Sequence, residues 1–490
     1  MFSVLLPEII LAVTLAGLIG SEMSSSRERL RLTTVTAFFG LMAALIQTAL
    51  LYPQVGQMFM GHAISLDPIA YFFKLLILFF GILVVFVTYF SNDVPSEKRS
   101  EINGFIVSSV LAFSLLVQSG DLILMYVCLQ IYVLLCVFMV GISDDSFFSL
   151  ESGKKLLVMM SIALGLFLFG SGLLFNFTGS LNLFEMQRLF ENQVLTKQSS
   201  LLIFTLFFLA FAFLMGSFPM TFWMPDVLQG APLPSSLFVG FGLPIAGLAI
   251  ALRFLLIVFS VPTQDLGHWE VAWAFDWTVL LSFASGATAL MGALLALRQT
   301  HFQRLLGCLV LSQVGFLMSG LSVLDRSGLS AFFYSCLVFA FSLVGTVALT
   351  SFFKDRIKGH RLADWVGGIA RYRLESIFFF FFLASLFGLP PAPGFMSKFV
   401  LIDSAVRDER FILVGVLVFS FVLWMVSFGK WTFPIAQLKI QSHGITRSAR
   451  AGDSFQRAFF LSLLIPMFLL VVFAEPVLVW MKSGLLRVFW

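Results

Sequence analysis

The chain is short of charge. Of its 490 residues only 11% are Asp, Glu, Lys or Arg, whereas 59% are hydrophobic. A soluble domain carries about 25% charged residues, so this chain cannot cover a water-facing surface. Cysteine is scarce too: Cys128, Cys136, Cys308 and Cys336 each fall inside apolar runs. They read as small buried apolar residues rather than a disulfide framework or a metal site. The five histidines (His62, His268, His301, His360 and His443) are scattered over loops and helix ends without metal-ligand spacing. A phosphate-binding loop, a nucleophile elbow and a zinc motif are missing. The stretch GFGLPIAG lies in an apolar run and matches a dinucleotide fingerprint poorly. No metal, no bound cofactor and no redox chemistry are expected of the chain alone. Its net charge of +4 comes from loops and gives no signal for nucleic acid.

What is present is apolar and aromatic. There are 61 Phe residues, and mean hydropathy is +0.99. The opening MFSVLLPEIILAVTLAGLIG lacks the basic start of a signal peptide, carries Glu8 and is followed by another apolar run, so it reads as a first membrane helix. Windows of about 20 apolar residues recur to the far end. They predict spans near 4–20, 33–51, 69–90, 104–119, 122–141, 155–177, 201–222 and 234–259. The others fall near 277–297, 305–323, 329–352, 376–405, 411–433 and 458–482. The expected fold is an all-α polytopic membrane protein of about 14 transmembrane helices, with no connection long enough to be a separate soluble domain.

Loop charge sets an orientation. With the N-terminus outside, the connections after spans 1, 3, 5, 9, 11 and 13 hold about nineteen of the 30 Lys and Arg residues, the opposite face about seven and the spans about four. The richest of these connections is KDRIKGHRLADWVGGIARYR, Lys354 to Arg373. Cytoplasmic loops carry such an excess, so both termini are expected in the periplasm.

Two spans are interrupted. Span 7 runs into SFPMTFWMPDV with Pro219 and Pro225, and span 12 is broken by GLPPAPG, where Pro390, Pro391 and Pro393 lie between Gly388 and Gly394. Proline removes a backbone donor and kinks a helix. Broken backbone survives in a bilayer only where protein or water satisfies the freed groups. The breaks lie five spans apart, an odd offset, so matching helices of a five-span repeat run in opposite directions. Paired, interrupted helices in inverted repeats point to an ion or substrate path.

Ionisable residues inside spans cost about 2.5–3.5 kcal/mol on insertion scales and are functional candidates by default. Lys398, four residues beyond Gly394, is the first proton-transfer candidate, with Asp403 as its partner or as an interfacial group. Lys74 in span 3 is the second. Arg253 in span 8 is effectively always charged and is no relay. For Lys74 and Arg253, reaching out to the interface competes with a buried role, and Lys430 reads as snorkelling. Gln130, at the middle of span 5, can hydrogen-bond between helices but cannot carry a charge.

The segment FPMTFWMPDVLQGAPLPSSLF resembles the PFHxWxPDxYxGAPxPVxxF signature of the antiporter-like subunits of respiratory complex I. GLPPAPGFMSKFVLI resembles their GIPPxxGFxGKFxLF segment, in a form characteristic of subunit N. LLPEIILA, DPIAYFFKLLILF, LESGKKLLVM and LALRQTHFQRLLGCLVLSQVGF agree in order and spacing, and the likeness runs from about residue 4 to about 435. The resemblance implies fourteen helices, with spans 4–8 and 9–13 as inverted five-helix repeats. The chain then divides into residues 1–103, repeats at 104–259 and 277–433, and a last helix at 458–482.

The resemblance also implies a central row of proton carriers: a Glu on span 5, a Lys on span 7, a Lys or His on span 8 and a Lys or Glu on span 12. These positions fall on Gln130, Leu214, Pro244 and Lys398, and a family His falls on Gln313. Three of the four carriers are thus replaced, which predicts an impaired proton path. The implied host is an NADH–quinone oxidoreductase of the bacterial inner membrane, with FMN, iron–sulfur clusters and quinone in other subunits. The implied partners are a neighbouring antiporter-like subunit, small quinone-side subunits and the lipid bilayer. A subunit of a multisubunit cation/proton antiporter, or a non-conducting scaffold of another membrane oxidoreductase, are the other readings.

Overall fold

Long apolar runs become helices because backbone in lipid must satisfy its own N–H and C=O groups. The computed structural model describes residues 2–22, 26–52, 55–59, 63–142, 147–190, 197–262, 269–271, 276–357, 362–366, 372–436 and 453–482. His62, His268, His360 and His443, with part of the Lys354 to Arg373 connection, lie outside them. The first helices are α1 (Phe2–Glu22), α2 (Ser26–Leu50), α3 (Pro68–Phe90), α4 (Ser96–Gln118), α5 (Leu122–Gly141) and α6 (Phe147–Thr178). A short α7 (Leu183–Phe190) precedes α8 (Lys197–Met215), α9 (Trp223–Gly230) and α10 (Leu233–Ile257). Then come α11 (Trp277–Arg298), α12 (Phe302–Ser322), α13 (Arg326–Ile357), α14 (Arg373–Phe387), α15 (Pro393–Arg407), α16 (Phe411–Ala436), α17 (Asp453–Val472) and α18 (Ala474–Trp480).

Among the described residues 13 helices are long and apolar enough to cross a membrane. Helices α14 and α15, of 15 residues each, make a fourteenth crossing between them. The expected polytopic all-α fold is therefore present, with span 7 formed by α8 and α9 and span 12 by α14 and α15. Aspartates start several helices: Asp67 accepts from the Ala70 N–H at 2.7 Å, Asp121 from Ile123 at 2.8 Å and Asp276 from Thr278 at 2.9 Å. Each satisfies an N–H that the first turn leaves without a helical partner.

Helices α10 and α12 are buried along their whole length and form the spine, with α3 and α13 mostly buried beside them. A helix apolar all round has no polar face to show and belongs in such a position. The outer helices α1, α2, α6, α16 and α17 expose stripes of Ile, Leu, Val and Phe. Two features have no signal in the hydropathy pattern. These are two-stranded hairpins, β1 (Gln57–Phe59) with β2 (Ile64–Leu66) and β3 (Ser260–Pro262) with β4 (Trp269–Val271). Both lie on one face, where Gly120 donates to the Ala63 carbonyl and Arg253 reaches Val117 and Ser65.

Span boundaries shift at the breaks. Helix α8 stops at Met215 rather than running to 222, and Pro225 lies within the first turn of α9 rather than in the break. A first-turn residue donates no helical hydrogen bond, so proline is tolerated there. Pro393 likewise opens α15, while Pro219, Pro390 and Pro391 lie in the breaks themselves.

Candidate functional site

Both breaks begin in the same way. Helix α8 ends on Gly216 with φ +67°, and α14 on Gly388 with φ +87°. A left-handed residue is favourable only for glycine and lets the chain turn back on its last carbonyls. Accordingly Ser217 donates to the Ala212 carbonyl at 2.9 Å, and Leu389 to the Ala384 carbonyl at 2.8 Å. Side chains add to the two helix ends differently. At the first break the indole of Trp223 donates to the Phe213 carbonyl at 3.0 Å. At the second the ammonium of Lys398 donates to the Leu386 and Phe387 carbonyls at 3.2 and 2.8 Å. The partial negative charge of a helix C-terminus favours a cation there.

Lys398 is buried, with its nitrogen 4.9 Å from the Phe316 ring centroid, and among the described residues no carboxylate pairs with it. Asp403 takes the other role foreseen for it: it is half-buried and pairs with Arg407 at 2.9 Å. Hydroxyls surround the second break. Ser385 bonds Ser342 at 2.7 Å and accepts from the Gly394 N–H at 3.1 Å, and Ser397 donates to Ser335 at 3.0 Å. Gly394 is required by close approach, since an added Cβ would fall 1.7 Å from the Ser385 carbonyl oxygen. Beyond Lys398, toward the hairpin face, an apolar cluster including Phe316, Leu401 and Ala405 intervenes. A cavity of about 280 Å³ then opens at the end of α15, lined by Asp276, Asp325, Arg407, Asp408 and Arg410 among others.

The other membrane-buried charges are paired. Lys74 does not snorkel: its nitrogen lies 2.6 Å from Glu8 Oε1, and both side chains are buried. Arg253 pairs with Asp67 at 2.8 Å and also donates to the Val117 carbonyl and the Ser65 hydroxyl. Lys430 is exposed and reaches the Leu297 and Gln299 carbonyls at 2.7 and 3.1 Å, capping α11. The partner of Lys74 was missed in the sequence. Its signal was there, as a lone acid in an apolar first span.

A family model described as "NADH:quinone oxidoreductase/Mrp antiporter, TM" matches residues 119–423. The chain belongs to this family. Among its relatives is NADH-quinone oxidoreductase subunit N 2 of Chloroherpeton thalassium, 28% identical over 366 residues, covering 74% of this chain and 70% of that protein. The fold is shared with a chain of respiratory complex I from Thermus thermophilus (TM-score 0.76, 22% identity, 96% of this chain and 98% of that one). It is shared also with a chain of the Mrp complex from Dietzia sp. DQ12-45-1b (TM-score 0.80, 17% identity, 100% and 98%).

In this member of the NADH:quinone oxidoreductase/Mrp antiporter family, the positions singled out in the sequence are distributed between surface and interior. Gln130 is exposed, in the stripe of α5 that also shows Ile123, Val127, Ile131, Leu134 and Phe138. Leu214 is buried one residue before the end of α8, its Cβ 3.2 Å from where a Cβ on Gly247 would sit. Pro244 is buried inside α10 and lacks the N–H that would bond the Gly240 carbonyl. Gln313 is buried in α12. Ser217, in the first break, has a buried hydroxyl without a hydrogen-bond partner among the described residues.

Proposed function

We propose that this chain is an antiporter-like subunit, of the subunit N type, in the membrane arm of a proton-translocating NADH–quinone oxidoreductase, and that its own central proton path is impaired. Family membership, the subunit N relative and the GFMSKF form of the second break support the host. One observation carries the impairment. At the break of the first repeat the Phe213 carbonyl is met by the neutral Trp223 indole, where the second break has Lys398, and the buried side chains at Leu214 and Pro244 cannot take up a proton. A relay needs neighbouring groups that change protonation in turn. Lys398, with two of its three donors on helix carbonyls, serves first as a cap for α14. Lys74, the second proton-transfer candidate, lies in a buried pair with Glu8.

The repeats span residues 104–259 and 277–433, between N-terminal helices in 1–103 and a last helix in 458–482. Loop charge supports the bacterial inner membrane with both termini in the periplasm, which makes the hairpin face periplasmic. Partners are a neighbouring antiporter-like subunit and the small quinone-side subunits. FMN, iron–sulfur clusters and quinone belong to the rest of the complex.

The test is the proton/electron ratio of the purified host complex in proteoliposomes, wild type beside Lys398→Met. An unchanged ratio at normal NADH–quinone turnover is expected. A lower ratio in the variant would show a central path still running through Lys398. If the chain purified with no NADH-oxidising complex, the choice of host itself would fail.

A further inference from the structure

Where the N-terminal helices meet the first repeat, α1, α3 and α4 enclose a set of polar groups with unmet hydrogen-bonding capacity. Glu8 Oε1 meets Lys74 Nζ at 2.6 Å and accepts from Gln118 Nε2 at 3.1 Å. Glu8 and Gln118 are 6% and 0% exposed, yet Glu8 Oε2 and Gln118 Oε1 have no hydrogen-bond partner among the described residues. A buried acceptor without a donor costs about 1–3 kcal/mol. Each is an acceptor of the kind that buried water satisfies in proteins.

The ion pair gives little reason for itself in stability. A buried pair is often matched or bettered by apolar residues of similar volume, and α1 and α3 have apolar residues all around these positions. Other charged or titratable groups nearby are Asp67 and Tyr71 on α3 and Arg253 on α10. Asp67 and Arg253 are committed to each other, and the Tyr71 hydroxyl donates to the Ala49 carbonyl at 3.4 Å. The packed halves of α2 and α4 bring no titratable side chain to this depth. On the hairpin side the set is closed by the apolar trio Val4, Leu51 and Leu66, with Val4 one turn before Glu8 on the same helix face.

We propose that Glu8, Lys74 and Gln118 form a water-holding, proton-exchanging site in which Glu8 carries the exchanged proton and Lys74 supplies the fixed counter-charge, a proposal that rests on reading the chain as a subunit of a proton-translocating complex. In its resting form the pair is carboxylate and ammonium. One proton taken from water bonds to the free Oε2, giving a carboxylic acid beside the ammonium, and its return to water restores the pair. The site's charge changes by one, and the amine keeps its proton throughout. The trio of Val4, Leu51 and Leu66 keeps the exchange from running freely to the hairpin face.

The deciding experiment is infrared difference spectroscopy between two pH values on the chain in its native complex, in water and in heavy water. The wild type is expected to gain a carboxylic-acid carbonyl band at the lower pH, displaced in heavy water. That band is expected to be lost in Glu8→Gln/Lys74→Met, which removes both charges together and leaves no buried charge alone. Identical spectra for the two proteins would overturn the site. Should the double variant fail to assemble, Gln118→Leu decides: removing the amide is expected to shift the band, and an unshifted band overturns the proposal. The readout needs no NADH turnover, so it stands or falls separately from the choice of host and from the Lys398 experiment.

Discussion

Arg253 and Lys398 are both cations among apolar helices, and each is held by oxygen atoms of the chain. Arg253 is the more deeply committed, because Asp67 holds it while also capping α3. Removing one member of a buried pair costs about 3–5 kcal/mol, since the other charge is stranded. Arg253→Met is therefore expected to lower the thermal unfolding midpoint strongly. In Arg253→Met/Asp67→Asn the loss should be visibly smaller, because asparagine keeps the cap and leaves no charge. Equal losses in the two variants would mean that the pairing itself matters little. Much of this was out of reach from sequence. A lone cation in a hydropathy plot looks alike whether it snorkels, pairs or caps, and the partners of Arg253 and Lys74 lie in other helices. Lys398 was legible because a proline-rich break beside it announces free carbonyls.

The broken spans are the elements that sequence reading located best, since proline and glycine act locally. It erred where the surroundings decide the outcome, as at Pro225, which a first helical turn accommodates without a break. The second break depends on Gly388 twice over, through φ +87° and through a Cβ position only 2.6 Å from Lys398 Cδ. Gly388→Ala is expected to destabilise the fold by at least about 1–2 kcal/mol, the cost of a left-handed alanine. Gly415, inside α16 with nothing near its Cβ position, is the control. There alanine should be neutral or stabilising by up to about 1 kcal/mol. Thermal midpoints in one detergent compare the two directly, and a Gly388→Ala protein as stable as Gly415→Ala would contradict the tight geometry of the break. The hairpins and α7 were not legible at all, because short elements over a membrane face carry no long apolar run.

At the scale of the whole molecule, the number of crossings and the burial of the spine follow from apolar length, while sidedness rests on loop charge alone. It can be measured, because the four cysteines are free and buried and so leave a silent background. Asn176, exposed near the hairpin-face end of α6, and Asn92, exposed after α3, lie on opposite faces. In intact spheroplasts a membrane-impermeant maleimide is expected to label Asn176→Cys at once and Asn92→Cys only after permeabilisation. The reverse pattern would place both termini in the cytoplasm. The clamp at Arg253 also bears on how the protein is made. Ser65 and Arg253 are 188 residues apart, which at roughly 5–20 residues per second is about ten to forty seconds of translation. Over that interval the first three helices are already synthesised, with Glu8 and Lys74 available to each other, while Asp67 has no counter-charge. In order of synthesis, then, the Glu8–Lys74 pair becomes possible well before the Arg253–Asp67 pair, and the fold at the hairpin face can be completed only after α10 has been made.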